Sequence, residues 1–189
     1  LRHRAELFPD APIVVATSSA PEAYRSEAGL TGVAWRTADA ETLELALKLH
    51  PSTERVFVVA QALTGGYLAG VQAVLAKFAN RVELTFISER SVPRLIAAVR
   101  ALPARSVILF IRYSQEDPGD VMFPNEVVRV VAEASSVPVY VSTDSHVGTG
   151  AVGGVVRLAP AIGTRVGEIA RRVLDGTPAR DIALEHVPV

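Results

Sequence analysis

The chain has 189 residues, 49% of them apolar and 21% charged, with 19 basic against 20 acidic side chains for a net charge of −1. That composition supplies a hydrophobic core and excludes a disordered chain. The absence of any basic run argues against nucleic acid and against an anionic membrane surface. With no cysteine, disulfides and thiolate zinc sites are excluded.

The opening Leu1-Arg-His-Arg-Ala-Glu-Leu-Phe-Pro-Asp10 carries neither an initiator Met nor a signal-peptide pattern. It reads as the end of a helix, so the expectation is a piece cut from a longer chain. The first apolar run of strand length is Pro12–Ala16, and Thr17, Ser18 and Ser19 follow it. Gly29-Leu-Thr-Gly-Val-Ala-Trp35 then breaks the rhythm and reads as an extended crossing between two lobes. Further runs begin at residues 56, 82, 107 and 137, in steps of 26, 25 and 30 residues. One βα unit of a parallel sheet takes about that length. The runs Val56–Ala60 and Val107–Ile111 are almost wholly apolar, as strands covered by helices on both faces must be.

Helical patterns separate the runs. Ala40–Leu49 aligns Leu43, Ala46 and Leu47 before Pro51 stops it, and Tyr67–Phe78 aligns Val71, Val74, Leu75 and Phe78. Ser91 is the expected cap of the helix bearing Leu95, Ile96 and Val99, and Pro124 opens another with Val127, Val128 and Val131. After Val137–Val141 come Ser142-Thr-Asp144, the glycine-rich Gly148–Gly154 and an expected short strand, Val155–Leu158. A helix from Ala161 to the stop signal Asp175-Gly176 follows, and Asp181–Val189 closes the chain as an edge strand or tail.

Catalytic motifs fail on context. Gly148-x-Gly150-x-x-Gly153 matches the dinucleotide fingerprint, but Gly153 leads into a β-branched run and not into a helix. Asp144-Ser145-His146, read as extended chain, points its side chains to alternate sides and cannot form a triad by itself. No Gly-x-Ser-x-Gly elbow presents a nucleophile. His50, before Pro51, is expected to serve the helix dipole. His3, His50, His146 and His186 are scattered, giving no metal-ligand spacing, and Glu116, Asp117 and Asp120 around Pro118-Gly119 are turn chemistry. The domain is therefore expected not to be an enzyme and to need no cofactor or metal.

What remains is a row of polar and aromatic residues just past the strands. Parallel strands bring such carboxyl ends to one edge, where open α/β proteins hold ligands. The candidate ligand-binding residues are Ser18, Ser19, Gln61, Thr64, Tyr67, Arg112, Tyr113, Thr143 and Asp144. A guanidinium, a carboxylate, hydroxyls and phenols suit a small zwitterionic or polar solute.

The chain resembles the type I periplasmic-binding-protein superfamily, most closely its ABC-transporter substrate-binding branch, which also serves as the sensing ectodomain of some bacterial histidine kinases. The resemblance is carried by Pro12–Ala16 with Thr31-Gly-Val-Ala34, by Val137-Pro-Val-Tyr-Val141 with Gly148–Gly154, and by Ile162–Gly176. It implies an α/β fold of parallel sheets flanked by helices, with one complete lobe at 35–154. A partial first lobe would be formed by 1–34 and 155–189. It implies solute binding by hinge closure in the periplasm or another extracytoplasmic space. The expected partners are a small organic ligand and an ABC permease or attached histidine kinase, with no nucleic acid and no membrane insertion of this segment. Apolar sheet surface left open by the partial lobe implies a homodimer or other self-association. The competing readings are the ligand-sensing domain of a LacI-like repressor and, behind it, an α/β enzyme using a nucleotide.

Overall fold

The computed structural model describes residues 3–18, 29–60, 65–89, 91–113 and 122–187, and they divide into two compact units. One comprises residues 1–37 and 158–189, the other 38–157.

The 38–157 unit is a three-layer sandwich. Its strands are β3 (Arg55–Ala60), β4 (Glu83–Ile87), β5 (Ser106–Arg112) and β6 (Val139–Val141). They pair in the order β4-β3-β5-β6, all parallel. Side chains alternate across a strand, so each strand feeds two cores. Val56 and Val58 of β3, Val107 and Leu109 of β5 and Tyr140 of β6 enter one core. There they meet Leu43 and Leu47 of α2 (Asp39–Leu49) and Val71 and Leu75 of α3 (Gly65–Leu75). Val59, Ile108, Phe110, Val139 and Val141 enter the other, against α4 (Val92–Arg100) and α5 (Pro124–Ala134). Coverage on both faces is why β5 has six consecutive buried residues.

The 1–37/158–189 unit is thinner. It holds a short helix, α1 (Arg4–Leu7), and three parallel strands, β1 (Ile13–Thr17), β2 (Leu30–Trp35) and β7 (Glu185–Val187), in the order β1-β2-β7. Helix α6 (Ala159–Leu174) packs on β1 and β2, and its Ile162 and Ile169 form a core with Val33 and Ile182. The buried Thr31 hydroxyl donates to the Ile182 carbonyl at 2.8 Å, tying the centre of the sheet to the segment before β7.

Several local expectations need correction. Leu30–Trp35 is the central strand of its sheet, not a crossing: Gly32, at φ 143°, lets β2 pass so close to β1 that a Cβ would lie 2.0 Å from the Val15 carbonyl oxygen. Val155–Leu158 forms no strand; it makes one isolated parallel bridge, Thr143↔Arg157, after Gly153 has bridged Tyr140 on the same β6 edge. Asp144–His146 is one turn of 3₁₀ helix, not extended chain. Ser91 occupies the N-cap position of α4 without a side-chain cap bond. His50 is the C-cap residue of α2, and its Nε2 also lies 2.9 Å from the buried Tyr140 hydroxyl, with the rings edge to face. The 116–120 turn lies outside the described residues.

Candidate functional site

The connectivity of the 38–157 unit creates a gap. From the carboxyl end of β3 the chain leaves to α3 on one face of the sheet, and from the end of the neighbouring β5 it leaves to α5 on the other. Where adjacent parallel strands send their connections to opposite faces, a crevice opens beyond their carboxyl ends. Tyr67, in the first turn of α3, and Arg112, the last residue of β5, stand at this switch point.

A register shift brings these two together. Val59 pairs with Phe110, but the next residue of β3, Ala60, pairs with Arg112, so Ile111 is the extra residue of a bulge-like step. Strict alternation would send Arg112 to the Phe110 face and Tyr113 to the Leu109 face. The shift exchanges them. Ile111 stays in the core with Leu109, and Tyr113, 4% exposed, enters the core with Phe110 and Val127. Arg112 emerges exposed, with its guanidinium carbon 5.5 Å from the centroid of the Tyr67 ring. Bulges re-aim side chains in this way beside sites, and the stacked ring limits the directions open to the guanidinium.

The charged surroundings are graded. Burial is the main cause raising the Tyr67 phenol above its usual value; the Asp39 carboxylate adds to it, while the cations of Arg112 and Arg157 oppose it. Asp39 is buried in the first turn of α2, where the positive helix end favours a carboxylate. Its Oδ1 accepts a 2.6 Å hydrogen bond from the buried Ser142 hydroxyl, just past β6. Thr143 bridges Arg157, and Asp144 Oδ1 accepts the Ser145 N–H at 2.8 Å. Behind them His146 is buried edge-on against the Phe110 ring. Its pKa is depressed chiefly by burial, with Arg157 acting in the same sense and Asp144 against it.

The wall of the site is stapled to α2. Thr42 Oγ1 donates to the Val155 carbonyl at 2.9 Å and accepts the Val155 N–H at 3.1 Å. Gly154 makes this approach possible, since a Cβ there would sit 2.1 Å from the Val141 oxygen and 2.7 Å from Thr42 Cγ2. Gly148–Gly154 therefore runs back along β6, with the Val141 N–H donating to the Gly153 carbonyl at 2.9 Å.

Of the residues singled out in the sequence, Tyr67 and Arg112 meet, and Thr143 and Asp144 lie past β6 on the same carboxyl edge. Tyr113 belongs to the core. Ser18 is exposed after β1, in the other unit. Ser19, Gln61 and Thr64 lie outside the described residues. Sequence reasoning missed Asp39 and Arg157. Asp39 reads as an ordinary helix-start acid, and Arg157 was hidden in an expected strand.

No protein-family model matches the chain, and no curated protein matches it by sequence. Solved structures do. An ABC domain in complex with L-Trp from Streptococcus pneumonia superposes with a TM-score of 0.71 at 16% identity, over 95% of this chain and 62% of its own. The ligand-free, open form of a substrate-binding protein with adhesive properties from Clostridium difficile gives 0.67 at 17%, over 94% and 61%. A xylose-binding transcription activator gives 0.61 at 13%, over 99% and 52%. The chain thus spans between half and two thirds of the length of these neighbours. It shares the fold of these neighbours, α/β with parallel sheets flanked by helices, as the sequence resemblance implied.

Proposed function

We propose that this chain is the small-molecule-binding part of a solute-binding or sensing protein, which holds its ligand without transforming it. One observation carries the reading: the Tyr67–Arg112 pair stands at the β3/β5 switch point of a fold shared with substrate-binding proteins. One neighbour is an L-Trp complex, which supports a small organic ligand. The setting proposed is extracytoplasmic, with occupancy passed to an ABC permease or an attached histidine kinase.

A second reading has its own support, because a xylose-binding transcription activator shares the fold. In that case the chain is the effector-sensing part of a regulator. A thermal-shift screen against amino acids, small carboxylates, aromatic acids and pentoses tests the shared core of both readings. At a concentration 100 times Kd, a bound ligand stabilises by about 2.7 kcal/mol, a rise of several degrees in Tm. Silence across all four classes would remove both readings. Flanking gene sequence separates them, since a helix-turn-helix identifies the regulator and a secretion signal or membrane helix the receptor.

A further inference from the structure

We infer that the crevice of the 38–157 unit selects ligands bearing a carboxylate, with Arg112 as the residue that receives it and Tyr67 as the residue that positions Arg112. This inference rests on the solute-binding reading and adds to it the chemical class of the ligand.

Three features of the edge lead there. First, the register shift between Val59 and Ala60 brings an arginine out beside Ala60, at the β3/β5 switch point. A cation is the side chain so delivered, while the neighbouring phenol, Tyr113, goes to the core. A planar guanidinium presents paired N–H donors that match the two oxygens of a carboxylate.

Second, the guanidinium is held before any ligand arrives. Tyr67 comes from the first turn of α3, is half-buried against the core of Leu75 and Leu109, and lies beneath Arg112 at 5.5 Å. A cation–π contact needs no hydrogen-bond acceptor, so it leaves the guanidinium N–H donors to a partner. An arginine held in place loses less side-chain entropy on binding than one that is free to sample solvent.

Third, the carboxylates of the edge have hydrogen bonds of their own. Asp39 is buried and accepts from Ser142, and Asp144 accepts from the Ser145 backbone. Arg157, bridged to Thr143, adds a second positive charge that is felt at both Tyr67 and His146.

The test uses matched pairs that differ in the carboxylate alone: phenylacetate against phenylacetamide, and L-phenylalanine against L-phenylalaninamide, with D-xylose as the neutral control. Calorimetric titration of the 189-residue chain should show the acids binding at least tenfold more tightly than their amides. Arg112→Ala should lose at least tenfold for the acids, and Arg112→Lys should recover part of it. Tyr67→Ala should weaken acid binding several-fold, whereas Tyr67→Phe, which keeps the ring, should match the parent. Arg112 is exposed, so unchanged circular dichroism is expected for its variants. Equal affinity for acid and amide, preference for D-xylose, or an Arg112→Ala variant within twofold of the parent would overturn the inference and leave solute binding standing. No binding of any probe or of the wider screen would overturn both.

Discussion

The two units solve the same packing problem with different amounts of material. In 38–157, four parallel strands are sandwiched by helices, the inner strands β3 and β5 bury side chains on both faces, and Phe110, Leu109 and Tyr140 are at most 1% exposed. In 1–37/158–189, β1 is half-buried or exposed along its whole length, and among the described residues the core cluster rests on the buried Val33, Ile162, Ile169 and Ile182. A doubly covered sheet can tolerate a register shift near its edge and use it to aim Arg112. The thinner sheet keeps an unbroken register between β1 and β2, and Gly32 serves close strand approach there.

Truncating the cores should give the largest separation between the units. Phe110→Ala should cost about 3–5 kcal/mol and Ile169→Ala about 2–5. The chain supplies its own reporters in a Tyr24→Phe background, because Trp35 is its one tryptophan and lies in the thinner unit, while the other three of its four tyrosines, Tyr67, Tyr113 and Tyr140, lie in the sandwich. Denaturation followed by Trp35 emission and by tyrosine near-ultraviolet dichroism should show Phe110→Ala moving the tyrosine transition most and Ile169→Ala the tryptophan transition. Identical shifts of both signals in both variants would show that the two cores do not differ in this way.

Gly154→Ala is the next step down. Its added methyl meets the Val141 carbonyl and Thr42, so the variant should lose about 3 kcal/mol, with faster hydrogen exchange at Val141 and Val155. The matching Gly32→Ala should act on β1 and β2 instead.

The smallest effect is a difference in pH response. Burial lowers the His146 pKa below the unfolded value of about 6.5. The unfolded chain therefore binds more protons just below that pH. The stability of the sandwich is fully present above about pH 6.5 and declines as pH falls toward the depressed folded pKa. In the other unit, Arg165 donates to Glu185 at 2.5 and 2.8 Å and lowers its carboxyl pKa. Any contribution of that exposed pair persists to about pH 4.5 and fades below it. Between pH 7 and 5 the tyrosine-reported transition should fall relative to the tryptophan-reported one, and His146→Phe should flatten the difference. A parent protein whose two transitions run parallel over that range would contradict this.

Much of the fold was legible because it depends on period and punctuation. Continuous apolar runs at 56 and 107 require cover on both faces, spacing of 25 to 30 residues requires parallel crossovers, and polar residues after each strand gather at one edge. The helices were legible for the same reason, since Leu43, Ala46 and Leu47, or Val127, Val128 and Val131, mark a face by spacing alone. Nothing local distinguishes a glycine-flanked central strand such as Leu30–Trp35 from an extended linker, because both favour the same backbone. What separates them is the partner strands on either side.

The site divides along the same line. Sequence order by itself brought Tyr67, Arg112, Thr143 and Asp144 to the carboxyl edge, since direction along a parallel strand is fixed by the chain. Tertiary structure decided which side chains face one another. A one-residue shift in the pairing of β5 with β3 exchanges the faces of Arg112 and Tyr113, and α2 adds Asp39 and Thr42 from a hundred residues away. Strand pairing and helix packing are long-range choices, made by the total burial they achieve and not by the residues nearest in the chain.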